Sequence, residues 1–293
     1  IISWLSNSKL TYDESNEQYR RDFDFYIQKQ TVHLINQIDN VYNINNRLVG
    51  VAAIILVGLC YKDEKVFIQK GLSFLNKIIK NSLDNDGFPK SRSIKTSIFY
   101  LKYLILIREW MKESQTEIPE FIDETIFHLG QAYAFFWQNL KFDPLFNGNN
   151  ISRNNDFDLY LKRLGYSFKN DNHEFANYLS FKNKKINLII DAGPSPQNKY
   201  STDYQAGALS FEFVSNGKKI FTNSGIYNKK NIELNELSKS TAVHNVLIID
   251  DNSSCKFKKN SNYELEIKEG IKIIKKKINY EKNFWKILLA HDG

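Results

Sequence analysis

The 293-residue chain has only two cysteines, Cys60 and Cys255, and a single methionine. Two distant cysteines make no disulfide framework, and no CxxC is present for zinc or redox work. Proline is scarce at 5 and glycine stands at 13, which excludes collagen-like and proline-rich linker chains. No apolar run reaches the roughly 18 residues that a membrane-spanning helix needs. The most apolar run, Leu48 to Cys60, reads as a buried helix with Cys60 as a core residue. There is no P-loop, GxGxxG, HExxH or GxSxG. His33, His128, His173, His244 and His291 are too widely spaced for a local metal-ligand motif, so no metal and no cofactor is expected. Ile1 to Leu10 carry no basic stretch leading into an apolar one, so no signal peptide is visible. The chain starts without Met, ends on His291-Asp-Gly293 and reads as a piece of something longer.

What is present is apolar surface, at 42% hydrophobic and 14% aromatic residues. That suffices for large cores and excludes a disordered chain. The length allows about two domains of the usual size, roughly 100–200 residues each. Lys+Arg number 40 against 33 Asp+Glu, a net charge of +7, which favours an anionic partner. The basic runs Lys184-Lys185 and Lys275-Lys276-Lys277 fall in strand-like segments. They read as solvated strand faces, not as a nucleic-acid module.

The hydrophobic period changes along the chain. In the first half, Phe23, Tyr26, Ile27, Val32, Leu34 and Ile35 suggest an amphipathic helix. Asn45 and Asn46 are N-cap candidates for the apolar helix that follows. Asp63 is a candidate cap for the next, with Val66, Leu72, Leu75, Ile78 and Ile79 inward. Asp84 to Pro89 has turn chemistry. Helical character resumes from Ile94 to Trp110, and Pro119 suits the first turn of a helix running to about Asn139. Trp110 and Trp137, which end helical runs, read as core before sugar-stacking rings. Phe142 to Asp158 is loop-like. In the second half, Lys185 to Asp191 reads as a strand. Ala208 to Val214 alternates, with Leu209, Phe211 and Phe213 on one face and Ser210 and Glu212 on the other. Asn216-Gly217 predicts a tight hairpin turn, answered by Lys219 to Thr222. Asn245 to Asp250 is another expected strand, and Tyr263 to Ile267 and Ile271 to Ile278 an expected hairpin around Gly270. The reading is a helical domain over 1–168 and an antiparallel β layer over 169–293.

One ordered set of motifs is more specific than this pattern. It runs Leu188-Ile-Ile-Asp-Ala-Gly-Pro-Ser-Pro196, Tyr204-Gln-Ala-Gly-Ala-Leu-Ser-Phe-Glu-Phe213, Asn216-Gly217, Phe221-Thr-Asn-Ser-Gly-Ile-Tyr227 and Ser240-Thr-Ala-Val-His-Asn-Val-Leu-Ile-Ile-Asp250. The first half adds Tyr42-Asn-Ile-Asn-Asn-Arg-Leu48, Asp86-Gly-Phe-Pro-Lys-Ser-Arg92 and Leu145-Phe-Asn-Gly148. Together they resemble the heparinase II/III-like family, in a subgroup lacking several of the family's histidines. The resemblance implies a multidomain α and β fold: an (α/α) toroid-like helical domain followed by an antiparallel β-sandwich, both incomplete here. It also implies a lyase that cleaves uronate-containing polysaccharides, such as glycosaminoglycans, by β-elimination in the cleft between the two. Such enzymes meet their substrate outside the cytoplasm, so the periplasm or cell envelope is the expected compartment. A noncatalytic glycan-binding or envelope-assembly protein on the same scaffold is the alternative.

β-Elimination needs a donor that neutralises the uronate carboxylate, a base for the C5 proton and an acid for the leaving oxygen. The family's Asn-His pair matches Asn46-Arg47, so the Asn is kept and Arg47 stands as a carboxylate partner. The family's tyrosine position falls on Thr96, with Tyr100 one turn on. The His-x-His-Ala-Asp segment matches Asp203 to Gly207, which leaves Asp203 or Tyr204 as substitutes. Tyr204 and His244 are therefore the proton-handling candidates beside Asn46 and Arg47. Arg92, Gln205, Asn223 and Tyr227 are the substrate-binding candidates. His244 also reads as a strand residue pinning the sandwich, Asn46 as a helix cap, Arg92 as a loop brace and Tyr227 as packing. Some family members hold a structural zinc at positions that match Gln205, Asn223 and His244. Two amides and one His make a poor zinc site; an amide network joining the three is expected instead.

Overall fold

The computed structural model describes residues 1–61, 65–137, 142–150, 156–227, 231–281 and 284–293. The chain divides into two compact units. One comprises Ile1–Leu83 with Ile98–Phe127, the other Asp84–Ser97 with His128–Gly293. Helices α6 (Ile94–Glu113) and α7 (Glu120–Trp137) are shared between them.

The first unit is helical: α1 (Ile2–Ser6), α2 (Ser8–Thr11), α3 (Glu17–Gln37), α4 (Ile44–Cys60) and α5 (Lys65–Ser82), with the unit's shares of α6 and α7. The Asn16 side chain caps α3 by accepting the Tyr19 N–H at 2.8 Å. Phe23, Ile27 and Thr31 are buried four residues apart, one face of a helix. Tyr26 and Val32 lie off that face and are exposed. The cap of α4 is Asn43, whose Oδ1 accepts the N–H groups of Asn45 and Asn46. The helix thus starts earlier than expected, and the two candidate caps sit inside its first turn. Helices α4 and α5 are antiparallel and close. A Cβ on Gly58 would lie 2.7 Å from Ile68, and one on Gly71 2.5 Å from Ile55. Cys60 is exposed, not core, because α4 ends there. Phe67, not Val66, turns inward on α5. Asp63 lies outside the described residues.

The second unit is built on a five-stranded antiparallel meander: β1 (Glu174–Phe175), β2 (Tyr178–Lys182), β3 (Ile186–Asp191), β4 (Phe211–Ser215) and β5 (Lys218–Phe221). Its two faces follow the strand alternation. Tyr178 and Ile189 pack with Phe135 and Phe136 of α7 and with Phe88 and Phe146. Leu179, Phe181 and Ile190 pack with Ile278, Ile287 and Leu289 of the hairpin β8 (Ile273–Tyr280) and β9 (Trp285–His291). That second contact is the sandwich. A further hairpin, β6 (Lys256–Lys259) with β7 (Leu265–Glu269), forms a separate two-stranded sheet. A short helix α8 (Asp156–Arg163) precedes the sheet, and α9 (Ile232–Lys239) follows β5. Helix thus gives way to strand between Arg163 and Glu174. Among the described residues no helix is long and apolar enough to cross a membrane.

Four expectations are corrected here. Strand β4 begins only at Phe211 because Leu209 has a positive φ of 60°. Glu212 is the buried residue of β4, since both faces of the sheet are covered and its carboxylate is fully engaged. It accepts the Leu145 N–H at 3.1 Å, the Thr222 hydroxyl at 2.7 Å and the Asn223 N–H at 3.0 Å, and pairs with Lys219. Asn245 to Asp250 forms no strand beyond one bridge, Ile249 with Asn252, because positive φ at Asp250 and Asp251 turns the chain back. Finally, β7 and β8 do not pair around Gly270. The backbone there is held by Ser195, whose hydroxyl accepts the Ile271 N–H at 2.6 Å and donates to its carbonyl at 3.1 Å. The turn at Asn216-Gly217 is as expected, with φ of 48° and 74°. Lys256 and Lys258 pair across β6–β7 with Glu269 and Glu266, the weak surface pairing of solvated faces.

Candidate active site

The loop between α5 and α6 is shaped by Asp84, whose Oδ1 accepts the N–H groups of Asp86 at 3.0 Å and Phe88 at 2.8 Å. It delivers Arg92 with a φ of 59° into the second unit's interior. There the guanidinium bonds Asp191 at the end of β3, donates to the Ala176 carbonyl at 3.2 Å and lies 4.7 Å over the Tyr178 ring. The Tyr178 hydroxyl returns a bond to the Arg92 carbonyl at 3.1 Å. Asn147 Nδ2 donates to the other Asp191 oxygen and to Tyr178, each at 2.7 Å. Burial opposes the charge on Arg92, but Asp191 beside it holds the guanidinium firmly protonated. This geometry makes Arg92 a brace for three loops. Gly193 allows it, since a Cβ there would lie 2.2 Å from Arg92 Nη1. Gly193→Ala should therefore destabilise the protein by about 2–4 kcal/mol. A chemical melt of the variant checks this; an unchanged midpoint would show that Arg92 has room to move.

Tyr204 is fully buried among Ala206, Ala208, Cys255, Ile267 and Ile271, and burial pushes its hydroxyl well above the usual range. The residue before it is different. Asp203 is half-buried, with a carboxylate oxygen 3.4 Å from Thr96 Oγ1 in the first turn of α6. Ser93 begins that turn, its Oγ accepting the Thr96 N–H at 3.3 Å. Gly148, at φ 83°, closes the group: a Cβ there would come within 2.7 Å of Ser93 Oγ and 2.8 Å of Asp203 Cβ. A carboxylate in the first turn of a helix also benefits from the helix dipole. Asp203, Thr96 and Ser93 thus form a polar cluster that sequence reasoning only touched upon. The signal was present in the alignment of Asp203 and Thr96 with the family's proton-handling positions.

Beneath this cluster lies Lys239, which is buried. Its ammonium bonds the Thr202 carbonyl, reaches the Tyr204 and Leu265 carbonyls at 3.2 and 3.4 Å, and lies 5.3 Å from the Phe257 ring. It therefore grips the backbone on both sides of Asp203. Burial lowers its pKa from 10.5 to about 8, against the pull of Asp203 and Glu264. The unfolded chain then binds the extra proton between these values. Stability should rise with pH across that window, and the gain should be lost as pH falls through about 8. Urea melts from pH 7.5 to 10.5 should show the rise in the wild type; a parallel rise in Lys239→Met would assign it to another group.

The three zinc-matching positions are tied to one knot of backbone. Gln205 Nε2 donates to the carbonyls of Gly225 at 3.0 Å and Ser238 at 2.7 Å. Asn223 Oδ1 accepts the Asn245 N–H at 3.0 Å. The His244 ring also meets the Ser238 backbone, and packs over Gly207, where a Cβ would lie 3.2 Å from its Cγ. Burial lowers the imidazole pKa to about 4, so the ring is neutral at ordinary pH. The expected amide network is thus not direct; the amides bind backbone. Zinc does not fit this set, because Asn223 turns its NH₂ inward and an N–H donor cannot ligate. Among the described residues no group of three or more His, Cys, Asp or Glu could hold a metal. Tyr227 is partly exposed, its N–H donating to Ser238 Oγ at 3.1 Å.

Asn46 and Arg47 belong to the first unit. Asn46 is exposed in the first turn of α4. Arg47 donates to the carbonyls of Val41 at 2.7 Å and Asp39 at 3.0 Å, and lines a small cleft with Phe74, Lys77 and Ile78.

A helical region leads into antiparallel β-sheets. Residues 173–293 match the family described as heparinase II/III-like, C-terminal. No curated protein matches the chain. Among solved structures, heparinase III is similar at 15% identity with a TM-score of 0.71, over 94% of this chain and 48% of that one. A heparinase III (BT4657 gene product) is similar at 18% and 0.66, over 88% and 44%. The heparan sulfate lyase HepC from Pedobacter heparinus is similar at 16% and 0.60, over 84% and 43%. The chain thus spans less than half the length of these structures.

Proposed function

We propose that this protein cleaves an acidic, uronate-containing polysaccharide by β-elimination. The observation that carries the reading is the Asp203–Thr96–Ser93 cluster, a half-buried carboxylate with two hydroxyls on a lyase scaffold. In this reading Asp203 takes the C5 proton, and a hydroxyl of the cluster relays a proton to the leaving oxygen. Asn46 and Arg47 keep the carboxylate-partner role that the family pattern implies for them. Tyr204 has no exposed hydroxyl and His244 no exposed Nε2, so both serve as supports in place of the proton-handling roles expected from sequence. Gln205 and Asn223 support in the same way, Arg92 braces, and Tyr227 is left to contact sugar. A net charge of +7 suits the anionic polymer. The periplasm or cell envelope belongs to the same proposal and is tested by cell fractionation.

A glycan-binding protein without turnover is the second reading, favoured by Asp203 and Gln205 standing where the family pattern has histidine. Ultraviolet absorbance with heparan, chondroitin, hyaluronan, alginate and bacterial exopolysaccharides separates the two. Elimination produces an unsaturated uronate and a rise. Saturable, salt-sensitive binding with no rise would abandon the lyase reading for the second.

A further inference from the structure

We propose that Gln205, Asn223 and His244 enclose one buried water molecule, which braces the domain without metal at the position where some relatives hold zinc.

Three atoms carry the argument. Gln205 Oε1, Asn223 Nδ2 and His244 Nε2 are buried and have no hydrogen-bond partner in the protein. A single such atom is costly, and three tied to one backbone knot demand a ligand. The chemical sense of the two amides is settled by what the rest of each side chain does. Gln205 uses Nε2 on two carbonyls, so its remaining atom is the acceptor oxygen. Asn223 uses Oδ1 on the Asn245 N–H, so its remaining atom is the donor NH₂. His244 is neutral, and its Nε2 is buried without a protein partner, so it exchanges one hydrogen bond with water in either tautomer.

The missing partner must therefore donate to Gln205 and accept from Asn223. Water does this with two O–H groups and a lone pair. A metal ion accepts lone pairs only and is repelled by the Asn223 NH₂. Ammonium donates only and leaves Asn223 unpaired. An anion accepts only and leaves Gln205 unpaired. The three side chains share their anchors: Ser238 serves both Gln205 and His244, and Asn223 is held by the residue after His244.

High-resolution diffraction of the wild-type chain should show one water bonded to all three atoms. Metal analysis after purification with added zinc should find far less than one zinc per chain, and a chelator should leave the melting temperature unmoved. Asn223→Asp replaces the donor by an acceptor and should lower the melting temperature by about 3–6 °C without metal. Gln205→His with Asn223→Asp should gain one zinc per chain and a chelator-sensitive melt. Stoichiometric zinc in the wild type, a dry site, or an Asn223→Asp variant that melts like the wild type would each overturn the proposal.

Discussion

Asp203→Asn should lower turnover on the responsive polysaccharide by about two to four orders of magnitude, the usual contribution of a positioned base. The amide keeps the shape and the contact with Thr96 but cannot take a proton. The melting temperature should stay near that of the wild type, because Asp203 is half-buried and is not part of the Arg92 ion pair. Tyr204→Phe should retain most activity, since it removes a hydroxyl with no exposed surface. The Asn46→Ala/Arg47→Ala double variant should also lose turnover while folding. Initial rates followed by ultraviolet absorbance decide among these. Full activity in Asp203→Asn would remove Asp203 from the mechanism, and an inactive Tyr204→Phe with intact Asp203→Asn would return the proton to Tyr204.

Arg92→Ala should cost about 3–5 kcal/mol, because it leaves the Asp191 carboxylate buried and uncompensated. At roughly 2–4 °C per kcal/mol for a domain of this size, the melting temperature should fall by about 6–20 °C. Arg92→Lys should rescue little. An ammonium cannot reach Asp191 and the Ala176 carbonyl together, nor lie flat on Tyr178. Asp191→Asn should fall between, since one of its two donors, Asn147 or the Gly193 N–H, still finds an oxygen there. Thermal and urea melts measure these effects. A normal melt of Arg92→Ala with lost substrate affinity would show that Arg92 serves substrate and not the fold.

The sequence by itself determined the elements whose signal is local. The change from helical to alternating period places helix before Arg163 and strand after Glu174, because burial of one face imposes its own spacing on the residues. Asn216-Gly217 names its turn, since few other pairs tolerate positive φ at both positions. The order of motifs from Leu188 to Asp250 pointed to the family that residues 173–293 match. Tertiary structure decided which polar groups are buried and what satisfies them. Glu212 looked like the outward residue of an alternating strand, and it is inward because Leu145, Thr222 and Asn223 answer its carboxylate. Arg92 looked like a loop cation, and its partner lies 99 residues away at Asp191. Of the neighbours Asp203 and Tyr204, only the fold could choose which faces water. Lys239 carried no motif at all, yet three backbone carbonyls converge on it. A side chain's period is written beside it in the chain, whereas the partner that makes a buried charge tolerable comes from wherever folding brings the backbone together.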